Sequence, residues 1–516
     1  MTPSEYVQAD FGNFSDLLQM QAALHPDKIA VADEERAIAY RDFDRLVDRI
    51  AAALQRDGCG HGQVAAVCAS SSVEYAAMFA GTVRAGAAVA PLSPSSTPEQ
   101  LADMVADCGA SHLFTDEGVA RQLLPVAERI AARRVALDGS ASAGEPLAAW
   151  LAPEDAAPAP VAVRPEDPFN IIYSSGTTGT PKGIVQSHAH RWPHLGRTDP
   201  PGSGPDAVVL ISTPLYSNTT LVSFLPALAG GGTAVLMRKF DARRFLELSQ
   251  QHRATHAMLV PVQYRRILEH PDFDRFDLSS FRLKYATSAP FSAELKREVL
   301  RRWPGGLIEY YGMTEGGGSC ALLAHQHPDK LHTVGKAIPG HDVRVIDADG
   351  AELPPGEVGE VVGRSPSMMN GYHNQPGKTA ETEWRDASGA RFIRTGDLGS
   401  FDADGFLTLV GRAKDMIISG GINIYPSDLE DALRDHPAVA DVAVVGAPSR
   451  EWGETPVAFV VLRGPADAED LRSHANARLG KMQRISAVRL VDELPRSAIG
   501  KVLKRELTER LAREAG

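Results

Sequence analysis

The chain has 516 residues, 43% hydrophobic and 23% charged, with a formal net charge of −12. Such values describe a soluble globular protein, long enough for more than one domain. The acidic balance argues against a nucleic-acid binder, although a local basic patch for a phosphorylated cofactor is compatible with it.

The opening MTPSEYVQADFGNF lacks a basic region followed by an apolar run, so a secretory signal is not expected. No stretch of about 18 apolar residues suggests a membrane span. The helical spacing of Phe14–Leu18 and Tyr40–Ile50 alternates with strand-like Val64–Cys68 and Ala88–Leu92. Thr97-Pro-Glu-Gln100 has the form of a capping box with Pro at the first helical position. Such alternation predicts parallel strands with crossover helices. Residues 138–168 are rich in Ala and Pro and read as a surface connection.

A second α/β stretch follows, with strands at Ala207–Ser212 and Thr233–Met237 and a helix over Ala293–Arg302. From about residue 335 the strands shorten. Asp349-Gly350 and Asp404-Gly405 read as hairpin turns, which predicts an antiparallel, barrel-like subdomain. The last hundred residues read as a small α+β unit. In it Ser427–Glu430 has the form of a capping box, and strands are expected at Val442–Val445 and Val457–Val461. Cys59, Cys68, Cys108 and Cys320 lie far apart without metal-ligand spacing, as buried free thiols of a reducing cytoplasm would.

The densest chemical signal is Tyr173–Gly183, YSSGTTGTPKG, after the apolar Phe169–Ile172. Glycines let a backbone approach an anion, hydroxyls add donors, and Lys182 adds a positive charge. A plain linker would not follow a buried strand. The string is not the common nucleotide P-loop, because Gly176 and Gly179 are three apart and Lys182 precedes Gly183.

Further signals are Tyr310–Glu315 (YYGMTE), Arg394–Asp397 (RTGD), Gly411–Asn423 (GRAKDMIISGGIN) and Leu494–Lys501 (LPRSAIGK). Singly, each has an ordinary structural reading as a turn, a surface ion pair or a solvated lysine. In this order they closely resemble the signatures of the adenylate-forming superfamily, which includes acyl-CoA synthetases, peptide-synthetase adenylation domains and firefly luciferase. Arg84–Leu92 and Ser288-Ala-Pro290 match as well, so the resemblance covers nearly the whole chain.

The resemblance implies a large N-terminal domain over 1–411. It would contain two mostly parallel α/β subdomains and a small β-barrel-like one. A mobile α+β domain over 412–516 would pivot near Lys414. It also implies ATP, Mg²⁺ and coenzyme A. Ser174, Ser175, Gly176, Thr177, Thr178, Gly179, Thr180 and Lys182 would hold phosphates, with Lys182 also catalytic. Ser288, Ala289, Pro290, Tyr310, Tyr311, Gly312 and Thr314 would line the nucleotide. Glu315 would hold the metal, Asp397 the ribose, and Arg412 ribose and phosphate. Lys501 would bridge the attacking carboxylate and the α-phosphate, offsetting a repulsion of roughly 4 kcal/mol per close pair of charges. Gly420 and Gly421 would line a pantetheine passage.

Amino-acid adenylation domains carry an Asp in the pocket strand. The corresponding Thr213–Thr220 has none, so an amino-acid substrate is disfavoured. The acyl pocket is expected from Tyr216, Ser217, Asn218, Thr219, Ala286, Ser288, Ala289, Tyr310, Gly316, Gly317 and Gly318. The three glycines would leave space, and no countercharge for a second carboxylate is evident. An uncharged aryl or short-to-medium aliphatic acid is expected. Ser217 stands where many CoA ligases of the superfamily have a gate histidine, and Gln483-Arg-Ile485 departs from the usual Lys-x-Pro. The expected activity is a cytoplasmic acid–CoA ligase with small-molecule partners, no nucleic acid and no integral membrane association; homodimerisation is left open. The competing expectations are a standalone ligase loading a carrier protein's phosphopantetheine and a non-catalytic AMP-binding scaffold.

Overall fold

The computed structural model describes residues 1–174, 182–196, 204–419, 422–449, 452–480, 483–497 and 500–515. Two compact units emerge: one of Met1–Leu331, Ala337–Asp342 and Arg364–Ile393, the other of His332–Lys336, Val343–Gly363 and Arg394–Gly516.

The first unit is built on two mostly parallel sheets. In one, Gly306–Tyr311, Leu283–Ala286, His256–Leu259, Val208–Ile211, Thr233–Leu236 and Ile29–Ala32 lie side by side and parallel. In the other, Pro168–Ser174, Ala88–Pro91, Val64–Cys68, His112–Thr115 and Arg133–Ala136 are parallel neighbours, and Lys182–Ser187 returns antiparallel to Pro168–Ser174. Ala88–Pro91, His112–Thr115, Thr233–Leu236 and His256–Leu259 are buried at every residue, as sheets covered on both faces require. The helices Phe14–Leu24, Tyr40–Arg56, Val73–Arg84 and Asn218–Ala229 share one core with both sheets.

The Thr97 capping box forms as expected, with Pro98 in the first turn. The Arg84–Leu92 string is structural. Its helix ends at Arg84, and Gly86 takes φ +83°, a conformation that suits glycine after a helix end. A Cβ on Gly86 would also lie 2.6 Å from Val161 Cγ1. The 138–168 stretch is therefore more than a surface connection. Trp150 is 1% exposed, packs against His112 and Phe114, and donates to Asp57 at 2.8 Å. All four cysteines are buried and free.

In the second unit, Arg391–Phe401 pairs antiparallel with Leu407–Arg412 from Asp397 to Phe401. The turn carries Gly405 at φ +81°. Gly350 sits at φ +86° in the turn that Leu353 N closes onto Val345 O at 2.9 Å. Beyond these, Val439–Ser449 and Gly453–Leu462 form a long hairpin, with Ala487–Leu490 parallel to the latter. Helices Pro426–Arg434 and Ala468–Asn476 cover one face, and Lys504–Ala515 covers the other.

The Ser427–Glu430 capping box does not form. Pro426 already suits the first helical position, so the helix starts there with Tyr425 as its cap. Ser427 instead donates to Val410 O, and Glu430 accepts from Val444 N at 2.9 Å and pairs with Lys504 at 2.8 Å.

Trp303 organises the strands that lead to the site. It is 1% exposed, ringed by Phe245, Tyr264, Phe273 and Phe281 at centroid distances of 5.1 to 6.1 Å. Lys284 lies over the ring and donates to the carbonyls of Trp303, Pro304 and Gly305. We expect Trp303→Ala to cost about 3–5 kcal/mol, read as a lower denaturant midpoint of the transition that reports this unit, with Trp303→Phe costing less.

Candidate active site

Two signatures end on neighbouring pieces of the first unit. The strand Gly306–Tyr311 runs straight into Thr314 and Glu315. The short strand Gly371–Tyr372 pairs with Lys182–Ser187, setting Tyr372 opposite Ile184. From there the Tyr372 hydroxyl donates to Glu315 Oε1 at 2.8 Å, and Lys182 Nζ stands 5.0 Å from the centre of the Tyr372 ring. Burial, and then the Glu315 charge, push the Tyr372 phenol well above its ordinary pKa, so it stays a donor. Met369 N closes the arrangement onto Glu315 O at 2.8 Å. Sequence reasoning missed Tyr372, because only the fold brings it between Lys182 and Glu315.

Beneath Thr314 lies a second cluster that went unforeseen. Gln186 Nε2 donates to Thr314 O at 2.7 Å. Arg191, 1% exposed, donates to Asn170 Oδ1 and Asn218 Oδ1, each at 2.9 Å, and to Gln186 Oε1. Burial pulls the Arg191 pKa below its ordinary value. This buried cation comes from the helix His188–Leu195, outside the segment Thr213–Thr220.

The pocket segment Thr213–Thr220 opens the helix Asn218–Ala229. Thr219 and Ser288 share a hydroxyl–hydroxyl bond of 2.6 Å. Ser288 takes φ +77°, costly for a residue with a side chain, just past the strand Leu283–Ala286. Ala286 is buried, Ala289 partly exposed and Pro290 exposed. Tyr216 is largely buried, which raises its pKa, and its hydroxyl bonds toward Ser93 and Ser95. Ser217 is buried and places no side-chain cap on the helix. Tyr310 lies 6.1 Å from Tyr285 between ring centres, with Tyr311 and Gly312 following toward solvent.

Gly316 is not the open space expected of it. It has φ +75°, and a Cβ there would run into the Ser367 carbonyl oxygen and lie 3.1 Å from His190 Cε1. Gly317 and Gly318 are buried, and Gly318 has φ +83°. Gly316 serves a tight backbone turn against Ser367.

The remaining candidates belong to the second unit. Strand pairing sets Asp397 opposite Arg412, and their side chains bond at 2.9 Å. Lys414 is exposed on the single turn Ala413–Asp415. Ser497 N bonds Lys501 O at 2.8 Å, Lys501 N bonds Ser497 Oγ at 3.2 Å, and Gly500 has φ +76°. Lys501 keeps solvent contact, yet its pKa falls to about 8 through desolvation and then the charges of Arg412 and Lys414, partly offset by Asp397 and Asp415. Ser175, Gly176, Thr177, Thr178, Gly179, Thr180, Gly420 and Gly421, and the side chain of Ser174, lie outside the described residues.

Among the described residues no three His, Cys, Asp or Glu side chains gather into a metal cage, and no helix is long and apolar enough to cross a membrane. Glu315 nevertheless offers hard carboxylate oxygens. Mg²⁺ is commonly held by one or two carboxylates together with substrate phosphates and water, so the residues fit that ion.

Residues 18–373 match the family model of the AMP-binding enzyme, and residues 428–501 that of the AMP-binding enzyme C-terminal domain. The indoleacetate–CoA ligase of Aromatoleum aromaticum is 34% identical over 97% of this chain and 98% of its own. A feruloyl-CoA synthase of an Amycolatopsis species is 34% identical over 95% and 97%. The crystal structure of ATP-bound MatB from Rhodopseudomonas palustris superposes with a TM-score of 0.84 at 30% identity, covering 97% of this chain and 99% of that one.

Gly316→Ala is expected to lower stability by about 2 kcal/mol or more, from left-handed strain together with the clash on Ser367. Gly377→Ala is the control, since nothing lies within 4 Å of a Cβ there, and should change stability by less than about 1 kcal/mol. Matched denaturation curves of the two variants decide between them.

Proposed function

The chain belongs to the AMP-binding enzyme family, and we propose that within it this chain is an AMP-forming carboxylic acid–CoA ligase. In the first half-reaction a carboxylate oxygen of the acid attacks the α-phosphorus of ATP. The bond from that phosphorus to the β-phosphate bridging oxygen breaks, and pyrophosphate leaves. In the second, the CoA thiol attacks the acyl carbon, gives up its proton, and expels AMP. Neither step calls for a nucleophile from the protein. Of an aryl or a short-to-medium aliphatic substrate, the two relatives, named for aryl-bearing acids, support the aryl one.

The observation that carries this reading is the Lys182–Tyr372–Glu315 contact. It joins a phosphate-loop lysine to the acid of the second signature across a single ring. In this account Lys182 and the Ser174–Thr180 loop hold the outer phosphates. Thr314 donates to a phosphate, and Ser288–Pro290 with Tyr310, Tyr311 and Gly312 flank the adenine. Asp397 accepts from the ribose hydroxyls, and Arg412, already held by Asp397, reaches ribose and phosphate. Glu315 is the residue that would hold Mg²⁺, which neutralises charge on the departing pyrophosphate when bound.

Lys501 is assigned to adenylation, lying between two anions whose approach would otherwise be opposed. A mobile domain over 412–516, turning about Lys414, would then withdraw it. Gly420 and Gly421 would admit the pantetheine arm in its place. With Ser217 where a gate histidine is usual, the gate is either absent or supplied by Tyr216.

Two outcomes check the assignment. Lys501→Ala should lower pyrophosphate release by about 10²-fold or more while largely retaining thioester formation from supplied acyl-AMP. Equal loss of both half-reactions would contradict the role. Second, Lys501 acts as a cation, and its pKa is lowered to about 8. It is charged below that value and neutral above it, so kcat/KM for adenylation should fall as pH rises through about 8, and this limb should vanish in Lys501→Ala. Running the assay with diverse acids, with CoA, with a carrier protein or with neither, identifies the acceptor.

A further inference from the structure

Arg191 is among the largest fully buried side chains of the protein, and among the described residues it meets no carboxylate. A buried cation with only amide partners is costly to keep. Its geometry shows what it accomplishes.

A guanidinium can only donate. Arg191 Nη2 stands 2.9 Å from one atom of the Asn218 amide, and Gln186 Nε2 stands 3.5 Å from the same atom. Gln186 is itself held in orientation: its Nε2 donates to Thr314 O, while its Oε1 accepts from Asn170 and Arg191. Two donors converging on one amide atom require that atom to be the oxygen. The Asn218 amide therefore has one allowed orientation, with Oδ1 turned toward Arg191 and Nδ2 turned away.

Nδ2 meets no acceptor among the described residues. Asn218 is half-buried, adjoining Thr219, whose hydroxyl bonds Ser288 in the expected acyl region. Among the described residues Asn218 therefore has two N–H donors without an acceptor, with a buried positive charge immediately behind. A plain hydrocarbon tail would leave these donors unpaired once water is excluded, whereas an acceptor oxygen would satisfy them.

We propose that Asn218, oriented by Arg191, recognises a hydrogen-bond-accepting oxygen on the tail of the acid, so that the substrate is an oxygen-bearing acid and not a simple hydrocarbon one. This rests on the ligase reading above. Asn218 touches the substrate; Arg191 is a positioning residue acting through it. The accepting oxygen is carbonyl, phenolic or that of a second carboxylate, and the assay separates these.

The test is kcat/KM for pyrophosphate release on matched acids: cinnamate against 4-hydroxycinnamate, and hexanoate against 5-oxohexanoate and hexanedioate. Wild type should favour the oxygen-bearing member of at least one pair by about tenfold or more. Asn218→Leu should reduce that ratio to below about twofold. Arg191→Met should reduce it too, and Arg191→Lys, which keeps a donor and a charge, should restore part of it. The ratio is taken within one preparation, so partial misfolding cancels. Preference for the hydrocarbon acid in every pair, or a preference that survives Asn218→Leu, overturns the proposal and leaves the ligase reading standing. Absence of pyrophosphate with every acid overturns both.

Discussion

A carboxylate has to come within bonding distance of an α-phosphate that is itself negatively charged. At intermediate dielectric two like charges 4 Å apart repel by roughly 4 kcal/mol, and a triphosphate presents several such charges. The signatures of this chain answer that constraint. Within the first unit Lys182 follows a string of glycines and hydroxyls, and within the second Arg412, Lys414 and Lys501 add cations; in the proposed reaction Glu315 would hold the hard cation.

The two units treat charge differently. In the first, charge is held by intermediaries: Tyr372 stands between Lys182 and Glu315, and Gln186 stands between Arg191 and Thr314. In the second, Arg412 is paired directly with Asp397, while desolvation and then the charges of Arg412 and Lys414 lower the Lys501 pKa to about 8. A lysine that titrates near pH 8 is more weakly bound to its proton than an isolated one. Its charge state consequently responds to whatever anion is present.

Much of this was legible in the sequence because the chemistry is written in contiguous strings. YSSGTTGTPKG, YYGMTE, RTGD and LPRSAIGK each carry their donors in fixed order, and the parallel sheets follow from buried apolar runs alternating with amphipathic helices. What was not legible depended on contacts between distant segments. Tyr372 lies in an unremarkable turn sequence and acquires meaning only when its short strand adds to Lys182–Ser187. Arg191 belongs to no signature string, yet it is buried against Asn170 and Asn218. Gly316 looked like room for substrate and is instead dictated by φ and the Ser367 backbone. The Ser427 capping box failed because Pro426 claimed the first helical position, a local competition that the four-residue pattern does not reveal.

The central claim is that the acid is activated by forming a bond to the α-phosphorus. Oxygen-isotope transfer tests it most directly. With an accepted acid labelled with ¹⁸O in its carboxylate, together with ATP and CoA, mass analysis of the products should find one ¹⁸O in AMP and none in pyrophosphate. Label appearing in inorganic phosphate, or AMP free of label, would contradict an acyl-adenylate route and with it the roles assigned to Lys182, Glu315 and Lys501.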